Sequence, residues 1–239
     1  MLLGEPPPTQ ADLHFRLFGF PVRVHPFFWL VTLVLGMSGG PADPLVTLIW
    51  IAVVFVSILV HELGHAVVQR CYGGHPWITL YGFGGLASCD DCDRSPRAQI
   101  LISLAGPFAG FFQAGFVVSI LIAMQRIRRF ELDWVPVIWV PFGSQLDLAL
   151  LFLLFVNIAW GLVNLLPIYP LDGGRIAREV FTLVNPRAGI VQSLQLSAGA
   201  AILVAVYAFT RQLYFMCILF GFLAYGSFQT LQMYRGRWR

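Results

Sequence analysis

The stretch Ile49-Trp-Ile-Ala-Val-Val-Phe-Val-Ser-Ile-Leu-Val60 runs without a charge into His61-Glu62-Leu63-Gly64-His65. Its apolarity predicts a membrane-spanning helix, because a bilayer core takes about 20 consecutive, mostly apolar residues. Outward from it, apolar segments fall at about 26–37, 45–72, 98–125, 145–166, 188–209 and 212–233. The first is thin, ending at Ser38-Gly39-Gly40-Pro41. The expected fold is therefore all-α: a polytopic membrane protein of about six transmembrane helices, forming one membrane-embedded domain over 1–239. Composition agrees, with 58% hydrophobic and only 11% charged residues in 239, where a soluble domain carries roughly 25% charge. So little charge cannot clothe a water-facing surface. A formal net charge of +3 is also too small for a phosphate-tracking face, which argues against a nucleic-acid partner.

Four cysteines in a chain of this length do not make a secreted disulfide framework. Residues Met1 to Phe15 hold Glu5 and three prolines, with no basic leader and apolar core, so no signal peptide is expected. Six spans put both termini on one side. Arg16, Arg23, Arg70, Arg94, Arg97, Arg175, Arg178, Arg187, Arg235, Arg237 and Arg239 then face Arg126, Arg128, Arg129 and Arg211 across the bilayer. The excess of arginine predicts cytoplasmic termini in a multi-pass cell-membrane protein.

Trp77-Ile-Thr-Leu-Tyr-Gly-Phe-Gly-Gly-Leu-Ala87 is apolar, glycine-rich and too short to span. It reads as a β-hairpin dipping into the membrane face, where protein or a wet cavity must surround its backbone. Ser144-Gln-Leu-Asp147 has the spacing of a helix N-terminal cap, so Asp147 is expected to cap the fourth span.

A charge near the bilayer centre costs at least about 2.5 to 3.5 kcal/mol, so acids within apolar spans point to function. Glu62 and Asp172 are the two such acids. On a helix, residues four apart differ by about 40° and about 6 Å along the axis, so His61 and His65 share a face and can grip one metal ion. Glu62 is beside them and free to serve as a base toward water without ligating. A catalytic zinc takes three protein ligands and keeps one open position. Asp172, in Asn164-Leu-Leu-Pro-Ile-Tyr-Pro-Leu-Asp172-Gly-Gly174 at the expected end of the fourth span, is the candidate third. Asn164 reads equally as an oxyanion donor and as an interhelical hydrogen bond, whereas Asn157 reads as structural.

With these two motifs on the page, the chain resembles the site-2 protease family of intramembrane zinc metalloproteases. The resemblance covers about Ile51 to Arg175, including Ala105-Gly106-Pro107 at the entry of the third span. It implies one catalytic Zn2+ held by His61, His65 and Asp172, Glu62 as general base, and Asn164 as an oxyanion donor. It implies that Tyr81-Gly82-Phe83-Gly84-Gly85 pairs with an unwound substrate by strand addition. The partners so implied are transmembrane protein substrates within the lipid bilayer, cleaved in or near their spanning segments with release of a cytoplasmic fragment. A zinc transporter or channel using the same ligands is the rival reading; a proteolytically dead binding protein is another, against which stand all four residues His61, Glu62, His65 and Asp172. The PDZ or CBS modules common in the family find no room.

Gly106 and Gly110 form a small-xxx-small pair read as close helix packing, with Pro107 starting or kinking that helix. His14 and His25 read as interfacial. Cys89-Asp-Asp-Cys92 has three readings: an acidic loop of reduced thiols, a redox pair, or, with Cys71 and His75, a second and closed zinc site.

Overall fold

The computed structural model describes residues 5–37, 43–124, 128–132, 135–139 and 144–236. Arg126, Arg237 and Arg239 of the charge asymmetry lie outside them. Two compact units emerge, Met1–Cys92 with Gly106–Gly161, and Asp93–Ala105 with Leu162–Arg239.

In the first unit a hairpin of β1 (Leu13–Leu17) and β2 (Phe20–Val24) precedes the short helix α1 (Pro26–Met37) and the long helix α2 (Pro44–Cys71). Asp43 caps α2, its carboxylate accepting from Leu45 N at 2.8 Å, and Pro44 at the first position loses no needed donor. The expected hairpin follows as β3 (Trp77–Tyr81) and β4 (Gly84–Ser88). It joins a four-stranded sheet of order β1-β2-β3-β4, with β2 and β3 parallel and Val22 opposite Ile78. Phe20, Val22, Val24, Ile78 and Leu80 are buried in one core with Phe28 of α1 and Val53, Val54, Ile58, Leu59 and Ala66 of α2. Alternation along β2, with Pro21 and Arg23 outside that core, turns one sheet face onto α2.

Helix α3 (Pro96–Ala123) and helix α4 (Gln145–Asn164) follow, separated by the β5 (Arg128–Leu132) and β6 (Val135–Trp139) hairpin. The second unit holds α5 (Asp172–Val184), α6 (Gly189–Thr210) and α7 (Tyr214–Gly236), with α6 packed against both α5 and α7. Among the described residues, five helices are long and apolar enough to cross a membrane: α2, α3, α4, α6 and α7. The sixth expected span is the shorter α1. Phe108, Phe112 and Phe116, spaced four apart on α3, are 61%, 80% and 61% exposed, a greasy stripe suited to lipid.

Three elements differ from expectation. β1 and β2, which complete the sheet, were not foreseen, nor was the β5–β6 hairpin. Asp172 does not end the fourth helix; a turn intervenes and Asp172 begins a separate helix, α5.

Candidate metal centre

In the first unit His61, Glu62 and His65 are all buried on α2. Four-residue spacing delivers the geometry it promises: the two imidazole Nε2 atoms lie 3.2 Å apart, the rings at 80° to one another. Two nitrogens at about 2.05 Å from a tetrahedral zinc stand about 3.3 Å apart, so the pair is already spaced as two ligands of one ion. Room beside them is kept by an absent side chain. A Cβ on Gly106 of α3 would lie 2.8 Å from His61 Nε2 and closer still to His65 Nε2. Both the spacing and the cradle fit a metal ion.

Glu62 faces the sheet. A Cβ on Gly85 of β4 would come within 2.6 Å of Glu62 Oε1, so the strand backbone lies directly on the carboxylate. The contact is backed further along α2, where Gln69 Nε2 donates to Ala87 O at 3.2 Å. The turn between β3 and β4 is bracketed by Phe27 against Gly82 and Trp160 of α4 against Gly84, whose φ of +121° suits only glycine. The structure thus brings the Glu62 carboxylate, the histidine pair and the edge strand β4 together.

In the second unit, Asn164 is the last residue of α4 and Asp172 the first of α5, both buried. Carboxylates are favoured at a helix N-terminus by its unpaired amides. The chain between them is held by hydroxyls: Tyr169 N donates to Ser197 Oγ at 2.7 Å, Ser197 Oγ hydrogen-bonds Ser227 Oγ at 2.7 Å, and Ser227 Oγ donates to Tyr169 O at 3.4 Å. Gly173 and Gly174 press against the backbone of Leu165 to Tyr169, where a Cβ would overlap.

Asn157 is structural as read, its amide donating to Ser57 Oγ at 3.1 Å and Leu153 O at 2.8 Å. Asp147 is part of the cap, with Ser144 Oγ accepting from Asp147 N and donating to Asp147 Oδ2 at 2.9 Å. Gly110 packs on Asn157 as expected, but Gly106 clears the histidine pair, a role that helix-packing spacing did not reveal. His25 Nδ1 accepts from Phe27 N at the start of α1. His14 and His25 join neither group of potential metal ligands among the described residues.

The cysteine set needs correction. Cys89 and Cys92 are joined in a disulfide, so they are not the reduced thiols favoured by the loop's acidity. Cys71 is free and exposed on α2, outside the grouping, which instead takes in Asp91. His75 donates its backbone N–H to Asp91 Oδ1 at 2.9 Å and approaches Oδ2 through Nδ1 at 2.6 Å. These bonds hold the Asp91 carboxyl below its ordinary pKa.

The sequence model of Peptidase family M50 matches residues 142–206, the segment carrying Asn164 and Asp172. A zinc metalloprotease of Methanocaldococcus jannaschii is 26% identical over 88% of this chain and 53% of its own length. Stage IV sporulation protein FB of Bacillus subtilis is 28% identical over 69% of this chain and 49% of its own. The chain thus spans about half the length of the curated relatives it matches. A solved site-2 protease from Methanocaldococcus jannaschii shares the fold, with a TM-score of 0.58 at 24% identity, covering 92% of this chain and 94% of that one.

Proposed function

We propose that this chain belongs to the site-2 protease family, Peptidase family M50, and that it is a zinc metalloprotease that hydrolyses peptide bonds in or near the transmembrane segments of other proteins, a reading supported by the family-model match and by the similarity to zinc metalloproteases. The observation that carries the reading is the histidine pair itself: His61 and His65 are buried with their Nε2 atoms 3.2 Å apart, and Asp172, buried at the start of α5, is the acid we assign as the third ligand. Three such donors leave a zinc one open position.

When bound, zinc supplies Lewis acidity, acidifying water toward neutral pH and polarising a peptide carbonyl. The Glu62 carboxylate takes the proton of the attacking water and hands it to the departing amine. The Asn164 amide donates to the developing oxyanion. A substrate helix keeps its amides bonded internally, so local unwinding must precede cleavage. β4 is the edge of its sheet and lies on Glu62, so an extended substrate segment adds to it as a further strand. With the arginine-rich loops inside the cell, both termini are cytoplasmic and the released fragment enters the cytoplasm.

The test is purified protein in lipid with single-span substrates, wild type beside Glu62→Gln. The variant is expected to keep its zinc and lose cleavage by about 10²-fold or more. Cleavage surviving the substitution would overturn the assignment. Zinc flux into vesicles that also survives it, with no cleavage by either form, would favour the transporter.

A further inference from the structure

The loop after α2 gathers metal-binding chemistry that the proposed hydrolysis does not use. Cys89 Sγ, Cys92 Sγ and a carboxylate oxygen of Asp91 all lie within 4.8 Å of one another. Asp91 Oδ1 is 3.3 Å from Cys89 Sγ, and His75 holds both carboxylate oxygens. Ligating carboxylates are commonly fixed in this way by a neighbouring donor. The sulfurs lie on the Gly73-Gly74 turn, where a Cβ on Gly74 would stand 2.6 Å from Cys89 Sγ, and Cys92 Sγ is 3.8 Å from Gln69 O.

We propose that this loop is a second metal site, in which reduced Cys89 and Cys92 together with Asp91 bind a thiophilic divalent cation such as Zn2+, and which oxidation empties by forming the disulfide.

Two sulfurs on one zinc, each at about 2.3 Å, stand about 3.8 Å apart. The Cys89 and Cys92 Cα atoms are 5.7 Å apart, a span over which rotation about the Cα–Cβ bonds alone moves the sulfurs between bonded and bridged positions. Charge makes the two states alternatives. Two thiolates and the Asp91 carboxylate, beside Asp90 and Asp93, concentrate negative charge that a divalent cation offsets. The disulfide removes two of those charges and the ion's sulfur ligands with them. With hydrogen peroxide as oxidant, the two thiolates give up two electrons to the O–O bond. One S–S bond forms, two protons are taken up, two waters leave and the cation is released. His75 is a positioning residue, orienting Asp91 instead of ligating. The site stands at the foot of β4, one residue past Ser88, where Gln69 also bonds the strand.

The full chain in lipid nanodiscs, reduced with a phosphine and loaded with Zn2+ alone, is expected to hold about one more zinc per chain than Cys89→Ser/Cys92→Ser or than peroxide-treated wild type. Cys71→Ser should match wild type. Loading with Co2+ should give a thiolate-to-cobalt charge-transfer band that the double serine variant lacks. Equal metal content in reduced wild type and the double variant, or absence of the band, overturns the proposal. The band should persist in His61→Ala/His65→Ala, and its loss there would also overturn an independent site. If that variant instead keeps all its zinc along with the band, the ligand assignment under the proposed function fails while the second site stands.

Discussion

Replacing Gly106 with alanine adds a single methyl group, and the structure says where it goes. The new Cβ would lie 2.8 Å from His61 Nε2 and nearer to His65 Nε2, where ordinary contact begins at 3.4 Å. His61 must therefore retreat by about 0.6 Å, and His65 by more. A metal site tolerates ligand displacements of about 0.2 Å. The glycine lies on a helix whose backbone cannot move away without disturbing its own packing, so the histidines absorb the change. Disturbing the shell around metal ligands typically costs 10- to 100-fold in affinity, about 1.4 to 2.7 kcal/mol, and direct overlap with the two proposed ligands belongs at the upper end.

Zinc competition against a chelator of known affinity, on protein in lipid, measures this directly. Gly115→Ala is the matched control, since nothing lies within 4 Å of its added Cβ and the helix gains propensity worth up to about 1 kcal/mol. Gly110→Ala, with its Cβ 3.3 Å from Asn157 Oδ1, should fall between them in stability while leaving zinc affinity near wild type. Wild-type zinc affinity in Gly106→Ala would refute the reasoning, because the overlap would then not be borne by the histidines.

Ser197→Ala removes the acceptor for Tyr169 N and leaves a buried amide unpaired, at about 1 to 3 kcal/mol. Thermal unfolding should register the loss, and zinc affinity should fall with it because the loop leads into Asp172; a stability loss with unchanged affinity would separate the two. At the other end of the chain, hydrogen bonds from the Thr9 side chain, and then its backbone amide and the charge of Arg23, lower the Asp12 pKa from 3.8. A carboxyl with a lowered folded pKa adds stability above its unfolded value and loses it as pH falls through the folded one. Amide exchange at Thr9, whose N–H donates to Asp12 Oδ2, should stay slow down to about pH 4 and quicken only below it. Quickening already between about pH 6 and pH 5 would contradict that sign.

What the sequence disclosed and what it hid divide along a physical line. Positions related by helical spacing were legible: His61 and His65 meet because four residues make about one turn, and Asp147 caps α4 because Ser144 stands three residues before it. The β3–β4 hairpin was legible because glycines punctuate a short apolar run. Helix α5 was not, since a search for apolar spans passes over thirteen residues opening Asp172-Gly-Gly-Arg175 and carrying two arginines and a glutamate. Nor was the parallel pairing of β2 with β3, joined across more than fifty residues, because register between distant strands is set by the face they bury and not by local spacing. Gly106 and Gly85 mark the limit most sharply. A glycine's chemistry is an absence, and what that absence admits depends on a side chain far away in sequence, His61 in one case and Glu62 in the other. Local spacing can therefore place a carboxylate and two imidazoles side by side on one helix, but the clearance around them is written only in the fold. The informative substitutions accordingly lie at these two glycines as well as at the ionisable residues they face.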